Sequence, residues 1–139
     1  MLYIVTKPDA IPQFKTRIFE LFEKINEQEH DLYAINIPEL WEQLRACTKL
    51  LLVASTREDH IDSIAVIEFL VYGSKKSLRV LYAAGQTDEQ WPHYIQQVEQ
   101  LARRYSVDFI EVWGRKGWQK MLKPLGYEAN VVNFIKRID

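Results

Sequence analysis

The stretch that decides the fold runs from Leu78 to Tyr127. It reads LRVLYAAGQ (78–86), DEQWPHYIQQVEQLARRY (88–105) and VDFIEVWGRKGWQKMLKPLGY (107–127). Trp91, Tyr94, Ile95, Val98, Leu101, Ala102 and Tyr105 recur at three-four spacing, which predicts one long amphipathic helix. Thr87 or Asp88 is placed to cap its start, Pro92 fits its first turn, and Arg103 and Arg104 suit the negative end of its dipole. The apolar runs before and after this helix, Leu78–Ala84 and Val107–Trp113, read as strands. A strand, a crossover helix and a second strand form a right-handed unit whose strands are parallel. Ligands of such sheets bind where a strand turns into its helix, so the turns after Ala84 and Trp113 are the places to look for function.

Upstream, Met1–Val5 is a short apolar run closed by Thr6-Lys7-Pro8-Asp9, a brief first strand and turn. Phe14, Ile18, Leu21, Phe22 and Ile25 predict a helix that begins near Ile11. Ile37, Leu40, Trp41 and Leu44 predict a second one, with Pro38 near its start and Cys47 near its end. Leu50–Ala54 and Ser63–Tyr72 then change to strand character, and Gly73-Ser74-Lys75-Lys76 turns the chain into Leu78–Ala84, which makes an antiparallel meander. Downstream, Trp118, Met121, Leu122 and Leu125 mark a short helix that Gly126 ends in a left-handed cap. Ala129–Ile138 alternates loosely and reads as a closing antiparallel strand. The expected architecture is one mixed α/β (α+β) domain over 1–139: a twisted, mostly antiparallel sheet with one parallel pair and helices on both faces.

A chain of 139 residues with 47% hydrophobic and 27% charged residues is ordinary globular material, long enough to bury a core. A net charge of -1 argues against nucleic-acid binding by bulk charge, which needs clustered Lys and Arg. No apolar run approaches the roughly 20 residues of a membrane-spanning helix. MLYIVTKPD (1–9) turns polar too soon for a signal peptide, so a cytoplasmic protein is expected. A single cysteine, Cys47, leaves no internal disulfide and fits a reducing compartment.

Few residues offer chemistry. Cys47 lacks a neighbouring base that would lower its pKa. His60, in Arg57-Glu58-Asp59-His60, and His93, off the apolar stripe of its helix, read as solvated residues. Glu68 differs, because strand alternation puts it on one face with Ile64, Val66 and Leu70. A carboxylate on an apolar face is either paired or raised in pKa towards a useful general base. Of the four tryptophans, Trp118, beside two glycines, is the first to suspect as a partner-binding anchor.

The order of elements, with the segment IEVWGRKGWQKMLKPLGYE (110–128), resembles the GNAT N-acetyltransferase superfamily. Within it, the segment is similar to the "gRxGW…Lk.lGy" stretch of small GNAT-like proteins of tailed bacteriophages. LLLVA (50–54) and QLARRYSVD (100–108) add to the likeness. The resemblance implies acetyl-CoA in the splay between the two parallel strands, with Leu81, Tyr82, Ala83, Ala84, Gly85, Gln86 and Thr87 as its binding residues and Glu68 as general base. Members cradle the pyrophosphate with a Gln/Arg-x-x-Gly-x-Gly/Ala turn at the helix start. Ala83–Glu89 has one glycine there, no basic residue, and the carboxylates Asp88 and Glu89. The family's usual acid, a Tyr four residues before the glycine of the "lGY" segment, is Leu122 here.

Two expectations therefore stand side by side. One is a non-catalytic structural or interaction component with a degenerate acyl-CoA site, in a phage virion or the bacterial host cytoplasm. The other is an acetyl-CoA-dependent N-acyltransferase that acts directly on an amine.

Overall fold

The computed structural model describes residues 2–5, 14–28, 34–55, 60–85, 91–113, 118–130 and 134–138. In chain order the elements are β1 (Leu2–Val5), α1 (Lys15–Gln28), α2 (Ile37–Arg45), β2 (Leu50–Ala54), β3 (Ser63–Tyr72) and β4 (Lys75–Gly85). There follow α3 (Trp91–Arg104), β5 (Phe109–Val112) and α4 (Gln119–Leu122), the last continued by a 3-10 turn over Lys123–Leu125. The five strands lie in sequence order in one sheet. Neighbours are antiparallel from β1 to β4, and β4 and β5 are parallel, as the βαβ reading requires.

Strand alternation sends side chains to two cores. On one face, Ile18, Leu21, Phe22 and Ile25 of α1 and Leu40, Trp41 and Leu44 of α2 bury against Leu51, Val53, Ile64, Val66 and Ala84. On the other face, Val98, Leu101 and Ala102 of α3 bury against Leu52, Ile67, Leu78 and Val80. The two helical stripes read from sequence are thus the surfaces that cover the sheet. Asn26 holds the chain between α1 and α2: its Oδ1 accepts from Ile35 N at 2.5 Å and its Nδ2 donates to Ile35 O at 3.0 Å. Asn36 then caps α2, its Oδ1 accepting from Glu39 N at 3.2 Å.

Boundaries and one element differ from expectation. The start of the first helix near Ile11 and the caps Thr87 and Asp88 lie outside the described residues. Tyr105 falls beyond α3, which ends where Ser106 takes φ 54, and its exposed ring packs on Phe69 at 5.1 Å between centroids. Gly126 does take the expected left-handed conformation, φ 92, with its N–H donating to Lys123 O at 3.1 Å. The expected closing strand over Ala129–Ile138 does not form in the described part: 129–130 and 134–138 are irregular, and Phe134 is 90% exposed. Its alternation is too loose to specify a register, because Lys136 and Arg137 stand side by side between Ile135 and Ile138.

Candidate functional site: a bulge on strand β4

A single extra residue shapes the middle of β4. Val66 pairs with Tyr82 and Ile67 with Val80, so Leu81 has no partner across β3 and forms a bulge. Bulges bend a strand and increase its twist. Among the described residues, the parallel ladder between β4 and β5 runs from Ser77–Phe109 to Val80–Val112. Trp113 N also donates to Val80 O at 2.9 Å. β4 itself runs on past the bulge to Gly85. Leu81, Tyr82, Ala83, Ala84 and Gly85 form this last part of β4; Gln86 and Thr87 lie outside the described residues.

The α3 side of this part of β4 is apolar. A cavity of about 30 Å3 lies there, lined among others by Ala65, Val80, Ala83, Trp91, Tyr94 and Trp118. Trp118 reaches it from α4 and packs on Trp91 with centroids 5.8 Å apart. Trp118 is therefore half-buried, and Trp113, at the end of β5, is the tryptophan that stands 55% exposed. Burial, reinforced by the Asp62 carboxylate, raises the pKa of the Tyr94 phenol. The Tyr127 phenol is raised further, first by burial and then by Glu99, whose Oε1 accepts its hydrogen bond at 3.1 Å.

Glu68 lies on the opposite face of the sheet, beyond the cover of α1 and α2. It is directly opposite Arg79 in the ladder, and Arg79 is opposite Glu111 of β5. Arg79 Nη1 donates to Glu68 Oε1 at 3.2 Å, and Lys49 Nζ stands 3.9 Å from Glu68 Oε2. The carboxylate on an apolar strand face is thus paired, which answers the cost of placing it there. Leu122, at the position of the family's Tyr, is buried. His60 is not simply solvated, since its Nε2 is 3.2 Å from Oδ1 of the buried Asp62.

Arg79 and Glu111 went unnoticed in the sequence, although a signal for Arg79 was present. The turn at Gly73-Ser74 sets Tyr72 opposite Lys75, and counting outward from it puts Glu68 opposite Arg79. Glu111 has no such local signal, because a parallel partner is separated from β4 by the whole of α3.

No protein-family model and no curated protein matches the sequence. Solved structures do match the chain over its whole length. A probable acetyltransferase superposes with a TM-score of 0.71 at 17% identity, covering 100% of this chain and 98% of the other. The fold is that of the GNAT acetyltransferases. A GNAT family acetyltransferase of Staphylococcus aureus gives a TM-score of 0.69 at 14% identity, covering 99% and 98% of the two chains. A predicted acetyltransferase from Clostridium acetobutylicum, solved with acetyl-CoA, gives 0.68 at 10%, covering 99% and 96%. At these identities the likeness is one of fold. Within that fold the described residues include no group of three or more His, Cys, Asp or Glu able to hold a metal, and no helix long and apolar enough to cross a membrane.

Proposed function

We propose that this is a GNAT-fold interaction component with a degenerate acyl-CoA site, in the setting of a tailed-phage virion or its host's cytoplasm. The observation that supports the site is the bulge at Leu81, which bends β4 beside an apolar cavity lined by Ala83, Tyr94 and Trp118. An extended pantetheine arm would lie along β4 past the bulge, with its apolar side against Ala83 and Trp118. What makes the site degenerate is the turn that follows, where Asp88 and Glu89 would face the pyrophosphate with like charge. Proton transfer has poor support as well. Glu68 already serves two cations, and Leu122 has no proton to give. The phage setting rests on the likeness of 110–128.

The same bulge and cavity favour a second reading, an N-acyltransferase. In it the acceptor amine would attack the thioester carbonyl and pass its proton to Glu68. The C–S bond would break, and the CoA thiolate would leave and take up a proton from water.

Calorimetric titration with acetyl-CoA and with acetyl-pantetheine, which lacks the pyrophosphate and nucleotide, tests the proposal. Both are expected to bind more weakly than about 100 μM. Two unit charges 4 Å apart in water interact by about 1 kcal/mol, or roughly fivefold in affinity. Asp88→Asn with Glu89→Gln should therefore strengthen acetyl-CoA binding by up to about 25-fold at low salt and leave acetyl-pantetheine unchanged. Low-micromolar binding of acetyl-CoA to the native chain would overturn the degenerate site. CoA release in the presence of amines, lost in Glu68→Gln, would establish the second reading instead.

A further inference from the structure

Past α1 and α2, the sheet face that carries Glu68 continues across β3, β4 and β5. In register, Arg79 stands between Glu68 and Glu111, and Ser77 stands opposite Phe109. Alternation puts Phe109, Glu111 and Trp113 together on this face of β5. Three rings stand out from it: Tyr72 is 48% exposed, Phe109 57% and Trp113 55%. Phe109 and Trp113, on one strand, are about 13 Å apart. The guanidinium of Arg79 lies 4.2 Å from the centroid of the Trp113 ring, so the exposure of the indole falls on its other face and its edge. Between the rings runs a polar network. Arg79 Nη1 donates to Glu68 Oε1 at 3.2 Å and Nη2 donates to the Tyr72 hydroxyl. Glu111 Oε2 accepts from Ser77 Oγ at 2.7 Å and from Tyr72 OH at 3.1 Å, with Arg79 Nε 3.6 Å away. Glu111 Oε1 meets only the same tyrosine hydroxyl, at 3.3 Å, and keeps capacity to accept. The Glu111 side chain is 33% exposed, within reach of a ligand.

We propose that this face binds a neutral carbohydrate chain, with Trp113 and Phe109 as stacking rings and Glu111 as the acceptor for sugar hydroxyls. A sugar ring presents polarised C–H groups on its face and hydroxyls around its edge. The negative face of an aromatic ring attracts the first, and a carboxylate accepts strong hydrogen bonds from the second. The layout of the face selects this chemistry over two others. Protein interfaces place apolar residues at the centre and charges at the rim. Here the order is reversed, with Glu111 between Phe109 and Trp113 and Arg79 beside it. A nucleic acid needs an excess of cations along its path. Here Arg79 and Lys49 are matched by Glu68 and Glu111, and only Lys75, opposite Tyr72 at the hairpin end, adds to them. Because Ser77, Tyr72 and Arg79 already hold Glu111, its carboxylate needs little ordering when a ligand binds. This proposal does not rest on the acyl-CoA reading.

The test is heteronuclear NMR titration of the native chain with maltohexaose, cellohexaose and chitohexaose in turn. At least one is expected to bind with a Kd below about 1 mM, shifting the indole N–H of Trp113 and the amides of Phe109 and Glu111. Trp113→Ala and Phe109→Ala should each weaken that binding at least about tenfold, as loss of an aromatic anchor does. Tyr3→Ala, which removes a ring of similar exposure on β1, should leave it unchanged. If one aromatic variant does not fold, the other still decides. No shift at these signals with any of the three sugars at about 10 mM overturns the proposal, and so does binding that both aromatic variants retain. Tighter binding of a short oligothymidylate at these rings would overturn it in favour of a nucleic acid. A dimer in sedimentation equilibrium that Trp113→Ala dissolves, with no sugar bound, would overturn it in favour of a second copy of the chain.

Discussion

Replacing Gly85 by alanine should destabilise the protein severely, and two independent effects contribute. Gly85 pairs with Ser63 at the end of the β3–β4 ladder and takes φ +151, a conformation close to exclusive to glycine. Holding another residue there costs about 1–3 kcal/mol. A Cβ at this position would also stand 2.5 Å from Ser63 Cα, a main-chain atom. Ser63 cannot easily retreat, because on its other side it pairs with Ala54 of β2. Forcing atoms into such a packed place costs a further 1–3 kcal/mol, roughly. The total is about 2–6 kcal/mol. With an unfolding entropy of about 2.1 cal/mol/K per residue, a chain of this length loses about 3.4 °C per kcal/mol. Gly85→Ala should therefore melt roughly 7–20 °C below the native protein by far-UV circular dichroism. Gly73→Ala is the control: its φ is +59 and nothing lies within 4 Å of its Cβ position. It carries only the left-handed term, about 1–2 kcal/mol. A drop at Gly85 no larger than at Gly73 would refute the claim that close approach to Ser63 demands this glycine.

Three further outcomes follow from the packing and the titrating groups. Tyr94→Phe removes a buried hydroxyl with no hydrogen-bond partner among the described residues, so stability should stay level or rise by up to about 1 kcal/mol in urea titration; a loss greater than that would show the hydroxyl is bonded in solution. Because the folded Tyr127 phenol keeps its proton above the unfolded value of 10.0, stability should be flat below about pH 10 and fall above it, where the unfolded chain alone releases the proton. Melts of Tyr127→Phe should decline less steeply above that pH, and equal slopes would remove Tyr127 from the alkaline limb. Phe22→Ala, at a fully buried position under the sheet, should lose about 3–5 kcal/mol, and a loss under about 1 kcal/mol would show that α1 does not seal that core.

Local pattern carried most of the fold because period is a local property. The stripe from Trp91 to Ala102, the runs Leu50–Ala54 and Ser63–Tyr72, and the cap at Gly126 each depend on neighbours within a few residues, and all appear in place. Where local pattern is weak, expectation failed: the described residues 129–130 and 134–138 of the loosely alternating tail form no strand, since their pattern offers no hydrophobic face strong enough to specify one. Glu68 was singled out for a sound reason, its position on an apolar face, but that reason alone does not name the cations it meets. The cations that meet it come from Arg79 across a hairpin and Lys49 at the start of β2.

By itself, then, the sequence determined the order of strands and helices and the faces they bury. The tertiary structure alone decided the features that depend on register between distant segments. These are the bulge at Leu81 between β3 and β4, the parallel register that sets Val80 beside Val112, and the guanidinium of Arg79 between carboxylates of two other strands. Periodicity says which way a side chain points. Which residue it meets depends on how two strands slide past each other, and that is settled only when the whole sheet packs.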